Sequence, residues 1–148
     1  MRNRPIRALI VDDEALARRF IRRMLKDDRD FEIVGECSNG KETVAMIRRE
    51  NPDIVFLDVQ MPEMDGFEAT AIIREREKKV GGRIPIIAMT AHAMKGDEER
   101  CLAAGMDGYI SKPIHSETLI SAIHRCLELP FDPKQVEREI PQDALNRV

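Results

Sequence analysis

The chain has 148 residues, of which 43% are hydrophobic and 34% are charged. This composition is ordinary for a soluble globular protein with one sizeable core. The formal net charge of −3 argues against a broad nucleic-acid surface, and no apolar run approaches the roughly 20 residues of a membrane span. Four arginines recur at helical spacing, which favours a solvated helix face over contact with nucleic acid: Arg18, Arg19, Arg22 and Arg23.

The cysteines and the amino-terminal segment indicate the cellular compartment of the protein. Cys37, Cys101 and Cys126 are an odd number of thiols without metal-ligand spacing, so we expect reduced thiols rather than a disulfide framework. The apolar run at 8–11 is too short for the core of a signal peptide and ends in two aspartates. These features predict a cytoplasmic protein.

Short apolar runs alternate with amphipathic stretches along the chain. The predicted strands are Ile6–Val11, Phe31–Gly35, Ile54–Leu57, Ile84–Met89 and Gly108–Ser111. The predicted helices are Glu14–Lys26, Lys41–Glu50, Gly66–Lys79, Ala93–Ala104 and Ser116–Leu129. Five strand–helix units in strict alternation indicate an α/β fold, with a parallel sheet covered by helices on both faces.

The apolar positions predict which helix faces point inward. In the first helix they are Leu16, Phe20, Ile21, Met24 and Leu25. In the second helix they are Val44 and Ile47, with Ala45 as a third candidate. The predicted fourth helix contains Gly96, and a glycine in a helix interior costs about 1 kcal/mol relative to alanine.

Polar residues follow four of the predicted strands. Right-handed crossovers put the carboxyl ends of parallel strands at one edge, which is where open α/β sheets bind ligands. That edge collects three carboxylates, one hydroxyl and one ammonium group: Asp12, Asp13, Asp58, Thr90 and Lys112. Each residue alone has a plainer interpretation, the acids and the threonine as helix or turn caps and the lysine as a surface residue. Their joint occurrence, one set per strand end, favours a functional site.

The chemistry of this set points to a hard metal ion and a phosphoryl group. Three clustered carboxylates repel one another, and Mg²⁺ takes oxygen ligands of this kind. A carboxylate can attack a phosphoryl group in line and become an acyl phosphate while a metal ion neutralises the charge. Lys112 supplies a mobile positive charge for the phosphoryl oxygens, and Thr90 supplies a hydroxyl group.

Four stretches of the chain resemble the receiver domains of response regulators. They are Leu9–Glu14, Val55–Gly66, Met89–Ala91 and Gly108–Pro113, in the expected order within residues 6–129. The resemblance implies a flavodoxin-like, doubly wound five-stranded parallel sheet with the order 2-1-3-4-5. It also implies a receiver domain over residues 1–129 that signals in a two-component phosphorelay.

The resemblance assigns roles to individual residues. Asp58 is expected to be the phosphoacceptor. Asp13 and Asp58 are expected to bind Mg²⁺ directly, together with the backbone carbonyl of Gln60, while Asp12 acts through a metal-bound water.

Further roles concern the phosphoryl group and the output of the switch. Lys112 is expected to contact the phosphoryl group and to precede a cis bond to Pro113. Thr90 and Tyr109 are expected to form the switch, the hydroxyl moving toward the phosphate and the ring swinging inward. The face made by the fourth helix, fifth strand and fifth helix is expected to dock an output domain, a partner or a second copy. The phosphodonor is expected to be a histidine kinase or a histidine phosphotransfer protein, with no direct contact to nucleic acid or membrane.

Two other interpretations carry less support. Residues 92–96 read His-Ala-Met-Lys-Gly, like the motif of histidine phosphotransfer proteins, but those modules are bundles of long helices. A Mg²⁺-dependent aspartyl-phosphate phosphohydrolase needs an acid two residues after its nucleophile, where this chain has Gln60. Residues 130–148 are expected to form a separate tail, either a linker or a short helix over 132–140. The sequence leaves open whether the chain stands alone or is part of a larger regulator or hybrid kinase.

Overall fold

The computed structural model describes residues 4–91 and 96–127. Strands and helices alternate as predicted, and the strands are β1 (Ile6–Val11), β2 (Phe31–Cys37), β3 (Ile54–Asp58), β4 (Ile86–Thr90) and β5 (Gly108–Ser111). The helices are α1 (Ala15–Lys26), α2 (Gly40–Glu50), α3 (Gly66–Val80), α4 (Asp97–Ala103) and α5 (Ser116–Leu127). The predicted tail, 130–148, lies outside the described residues.

The five strands form one parallel sheet with the order β2-β1-β3-β4-β5, which confirms the predicted fold class. All five residues of the central strand β3 are buried, as expected for a parallel strand covered on both faces. One apolar cluster packs the sheet against α1 and α5, with Ile21, Phe56 and Leu119 fully buried. A second cluster packs the other face against α2, α3 and α4, with Ile47, Ile73 and Cys101 among its members.

The prediction for the inner face of α1 is wrong at two of its five positions. Ile21 and Leu25 are buried and Met24 is partly buried, but Leu16 is 75% exposed and Phe20 is 49% exposed. Successive residues of a helix are rotated by about 100°, so Leu16 and Phe20 lie on a line displaced from the one through Ile21 and Leu25. The sheet covers only the second line, and α1 therefore presents an exposed apolar pair.

Smaller corrections concern α2 and α4. Ala45 is exposed, whereas Val44 and Ile47 face the core. Gly96 is the N-cap of α4 rather than an interior residue, and its φ of 101° is a left-handed conformation that glycine tolerates best. The predicted helical start at 93–95 lies outside the described residues. The cost of an interior glycine therefore does not apply to Gly96.

A partly buried ion-pair network fastens α3 to the loop before β5. Arg74, whose side chain is 12% exposed, donates to the carbonyls of Ile84 and Gly105 at 2.9 and 2.8 Å. The same guanidinium pairs with Glu77 and Asp107, both at 2.7 Å. Asp107 also accepts a hydrogen bond from the backbone of Ile86 at 2.9 Å. The network ties α3, β4 and the end of α4 together, away from the acidic edge.

Two further sequence predictions can be compared with the fold. All three cysteines are free thiols. Among the residues described, no helix is both long enough and apolar enough to cross a membrane.

Candidate functional site

The three acids predicted at the strand ends lie together. Asp58 is the last residue of β3 and is buried, Asp12 follows β1 and is fully buried, and Asp13 is exposed. Each offers a carboxylate oxygen, and these oxygens all lie within 4.8 Å of one another. Oxygen donors at this spacing, one of them open to solvent, suit a hard divalent cation such as Mg²⁺.

The turn after β1 holds the first two acids in place. The backbone N–H of Asp12 donates to the carbonyl of Cys37 at 3.0 Å, which continues the pairing with β2. One carboxylate oxygen of Asp12 accepts the backbone N–H of Glu14 at 2.9 Å. Asp12 therefore also fills the turn-capping role that its position alone suggests, while its other oxygen remains for the site.

Lys112 reaches the acids from the end of β5. Its Nζ lies 2.8 Å from Asp12 Oδ2 and 3.6 Å from Asp58 Oδ1, with the side chain 20% exposed. The backbone N–H of Lys112 donates to the carbonyl of Thr90 at 2.7 Å, which holds the backbone of Lys112 beside the end of β4. The peptide bond between Lys112 and Pro113 is cis. The ammonium group therefore neutralises part of the acidic cluster.

Burial and charge raise the proton affinity of the central acid. Burial is the largest cause that raises the pKa of Asp58, followed by the charge of Asp12, and the pKa rises from 3.8 to about 7. Lys112 acts in the opposite direction. Burial alone would lower the pKa of Lys112, but its hydrogen bond to Asp12 and the charge of Asp58 raise it overall. A cation bound among the acids would favour the ionised form of Asp58.

The remaining predicted residues surround this centre. Thr90 is buried at the end of β4, and with Asp13 and Gln60 it lines a cavity of about 640 Å³. Gln60 donates its backbone N–H to Asp58 Oδ1 at 3.3 Å. Tyr109 is half-buried on β5 beside Ala88 of β4. Tyr109 packs against the second apolar cluster, one strand beyond Thr90, and it is not part of the acidic group.

Sequence reasoning missed one residue that contacts the site. Arg18 of α1 donates from Nη1 to the backbone carbonyl of Asp12 at 2.6 Å. The helical spacing of the four arginines predicted only a solvated face. No pattern in the sequence distinguishes Arg18 from its neighbours, because the contact depends on where α1 lies over the turn.

Gly66, which the resemblance places in the loop after β3, has a steric reason to be glycine. A β-carbon at this position would lie 2.6 Å from the carbonyl oxygen of Asp58 and 2.8 Å from the α-carbon of Val59. The backbone N–H of Gly66 donates to the carbonyl of Val59 at 3.1 Å. The loop can therefore close tightly under Asp58 only without a side chain here.

The strand order and the acidic carboxyl edge place the chain among the doubly wound α/β proteins that bind ligands at such an edge. Residues 8–124 match the family model described as the response regulator receiver domain, and the chain belongs to that family. Receiver domains generally bind Mg²⁺ at an acidic pocket, and the cluster of Asp12, Asp13 and Asp58 is the corresponding group here.

Curated relatives include histidine kinases and a small protein. Histidine kinase 2 of Arabidopsis thaliana is 39% identical over 139 residues, covering 81% of this chain but 12% of the relative. Hybrid signal transduction histidine kinase I of Dictyostelium discoideum is 38% identical over 125 residues, covering 81% of this chain and 7% of the relative. An uncharacterised 14.6 kDa protein in the sodA1 3′ region of Leptolyngbya boryana is 39% identical, covering 84% of this chain and 92% of the relative. The chain thus spans a small part of the kinases.

Solved structures agree with this assignment. The receiver domain of the histidine kinase CKI1 from Arabidopsis thaliana, solved as a mutant, has a TM-score of 0.69 and 36% identity, covering 80% of this chain and 86% of that one. A CheX–CheY–BeF₃–Mg complex from Borrelia burgdorferi has a TM-score of 0.73 and 27% identity, covering 81% and 87%. The chain is a receiver domain of the kind used in phosphorelay signalling, and the comparisons do not favour the phosphohydrolase alternative.

Proposed function

We propose that this receiver domain accepts a phosphoryl group from a phosphohistidine onto Asp58 and thereby switches its contacts with a partner. The observation that carries the proposal is the convergence of three acid oxygens within 4.8 Å, with Lys112 Nζ 3.6 Å from Asp58 Oδ1. No single strand end could assemble this set. These contacts support a site in which one buried acid acts as the nucleophile, beside two further acids and one cation.

In the proposed transfer, a carboxylate oxygen of Asp58 attacks the phosphorus of the phosphohistidine. The new P–O bond forms as the P–N bond breaks, and the electron pair of that bond stays with the imidazole nitrogen. Lys112 pairs with the phosphoryl oxygens as they approach. Asp13, Asp58 and the carbonyl of Gln60 would hold Mg²⁺, with Asp12 acting through water. Bound Mg²⁺ would neutralise the phosphoryl charge in the transition state.

The phosphodonor proposed here is a histidine kinase or a histidine phosphotransfer protein, whose histidine is carried on a helical bundle. Leu16 and Phe20, 75% and 49% exposed, lie in the first turns of α1, which begins two residues after Asp13. An exposed apolar pair beside a charged site is a fitting contact for the apolar face of a helix. We therefore assign α1 to the donor interface.

The output is proposed to leave through the opposite side of the site. Thr90 ends β4, and Tyr109 lies on the next strand, β5. A phosphoryl group adds nearly two negative charges at this edge and would draw the hydroxyl of Thr90 toward it, with the ring of Tyr109 following. The face of α4, β5 and α5, where Leu102 is 48% exposed, would then bind an output domain or a second copy. Such a role fits a cytoplasmic protein.

The decisive experiment follows one phosphoryl group. The wild-type chain is incubated with acetyl phosphate and Mg²⁺, and intact mass is compared with that of Asp58→Asn and of Asp30→Asn, an exposed acid away from the site. We expect one added phosphoryl group in wild type and Asp30→Asn, and none in Asp58→Asn. Labelling of Asp58→Asn would show another acceptor. Sustained turnover of a generic phosphate ester would favour the phosphohydrolase.

A further inference from the structure

Arg18 bridges the acidic turn to the neighbouring strand. Its Nη1 donates to the backbone carbonyl of Asp12 at 2.6 Å, and its Nε lies 3.3 Å from Glu36 Oε1. The side chain of Arg18 is 20% exposed and that of Glu36 is 29% exposed. Arg22, one turn further along α1, pairs with the other oxygen of Glu36 at 2.7 Å. Glu36 on β2 therefore holds two arginines, and only Arg18 also reaches the acidic turn.

The carbonyl that Arg18 holds belongs to the peptide that joins two of the acids. The α-carbons of Asp12 and Asp13 flank this planar unit, so rotation of the plane would redirect the carboxylate of Asp13. On the other side of Asp12, its N–H is already fixed to the carbonyl of Cys37 at 3.0 Å. Arg18 supplies the second restraint, which sets the direction in which the exposed acid projects.

This arrangement depends on the shape of a guanidinium group. A planar fork presents donors in fixed directions and can bond a carbonyl and a carboxylate together, whereas an ammonium is a point charge on a flexible stem. The positive charge is not aimed at the acids, because Nη1 contacts a backbone oxygen and Nε contacts Glu36. Arg18 thus orients the acids without occupying their oxygens.

We propose that Arg18 is a positioning residue for magnesium binding, acting through the peptide between Asp12 and Asp13. The inference rests on the proposed function, because it assumes that these acids hold the metal ion. Residues that contact and orient the metal ligands, without touching the metal ion, typically contribute a factor of about 10 to 100 in metal affinity. The substitution Arg18→Lys keeps the positive charge but removes the planar guanidinium group. It therefore separates the effect of orienting the peptide from the effect of the charge.

The test compares Arg18→Lys with Arg19→Lys, the same exchange at an exposed position of the same helix. Magnesium affinity is measured by calorimetric titration without any phosphodonor, and metal-free thermal unfolding is recorded in parallel. We expect Arg18→Lys to weaken Mg²⁺ binding on the order of tenfold, and Arg19→Lys to match wild type. The increase in Tm at a fixed Mg²⁺ concentration should shrink only in Arg18→Lys.

The outcomes separate this inference from the proposed function. Equal Mg²⁺ affinity in the two variants overturns the role of Arg18, including the case in which Arg18→Lys merely lowers the metal-free Tm. Absence of Mg²⁺ binding in the wild-type chain overturns the assignment of the acids themselves. A wild-type chain that binds Mg²⁺ and is phosphorylated on Asp58, alongside unchanged affinity in Arg18→Lys, removes only the inference.

Discussion

Neutralising the central acid should stabilise the metal-free protein, and more so at higher pH. Burial is the largest cause and the charge of Asp12 the second, and the pKa of Asp58 rises from 3.8 to about 7. A carboxyl group with a raised pKa binds more protons in the folded state than in the unfolded state. The free energy of unfolding therefore falls as pH rises from about 4 to about 7. Asp58→Asn removes this loss, because the amide stays neutral throughout.

The size of the effect follows from the shift. Each pKa unit corresponds to 1.36 kcal/mol, so a shift of about three units amounts to about 4 kcal/mol when Asp58 is fully ionised. Only part of this develops between pH 5 and pH 8, about 2 to 3 kcal/mol. The shift already includes the contact with Lys112, at 3.6 Å, because the charge of Lys112 lowers the pKa of Asp58. The change of the stability gain between two pH values is therefore a sharper test than the gain at a single pH.

Urea unfolding of wild type, Asp58→Asn and Asp30→Asn in EDTA at pH 5 and pH 8 measures this difference. We expect the stability advantage of Asp58→Asn over wild type to grow by about 2 kcal/mol between the two pH values, while Asp30→Asn follows wild type. Saturating Mg²⁺ should reverse the order at pH 8, since the metal ion favours the ionised carboxylate. An advantage that is the same at pH 5 and pH 8 would refute the reasoning.

Three other perturbations test separate parts of the structure. Lys112→Met should tighten Mg²⁺ binding about fivefold, or about 1 kcal/mol, because the substitution removes the ammonium group that competes for the acids. It should also slow labelling by acetyl phosphate. Weaker Mg²⁺ binding in calorimetry would contradict this prediction. Arg74→Ala should lower the free energy of unfolding by about 2 kcal/mol, since it removes the ion pair of Glu77 and leaves Asp107 with Arg83 as its remaining cation; a loss under 1 kcal/mol in urea would show that the network contributes little. Leu16→Ala with Phe20→Ala should slow phosphotransfer from a phosphohistidine protein but leave acetyl phosphate labelling unchanged, with Ile72→Ala, a 40% exposed residue of α3, as the control. Equal slowing by the control would argue against a donor site on α1.

The sequence alone determined the class of the fold and the composition of the acidic edge. Alternating apolar runs and amphipathic stretches leave few arrangements other than a parallel sheet covered on both faces. Once the strands are parallel, Asp12, Asp58 and Lys112 must come to the same edge. Their convergence could therefore be predicted without coordinates. Strand order could not be derived from periodicity, which reports burial and not neighbours, and was supplied by the family resemblance.

Only the tertiary structure decided which polar and apolar residues around that edge have partners. An apolar arc on α1 does not say which part of it the sheet covers, so Leu16 and Phe20 were misplaced by pattern alone. Arg18 and Arg19 each have another arginine four residues later along α1, yet Arg18 is the one of the two that reaches the carbonyl of Asp12. Gly96 begins α4 rather than lying inside it. Local periodicity shows which face of a helix is apolar, but it does not specify the direction in which the helix packs on its sheet, and that direction decides the surroundings of Leu16, Arg18 and Phe20.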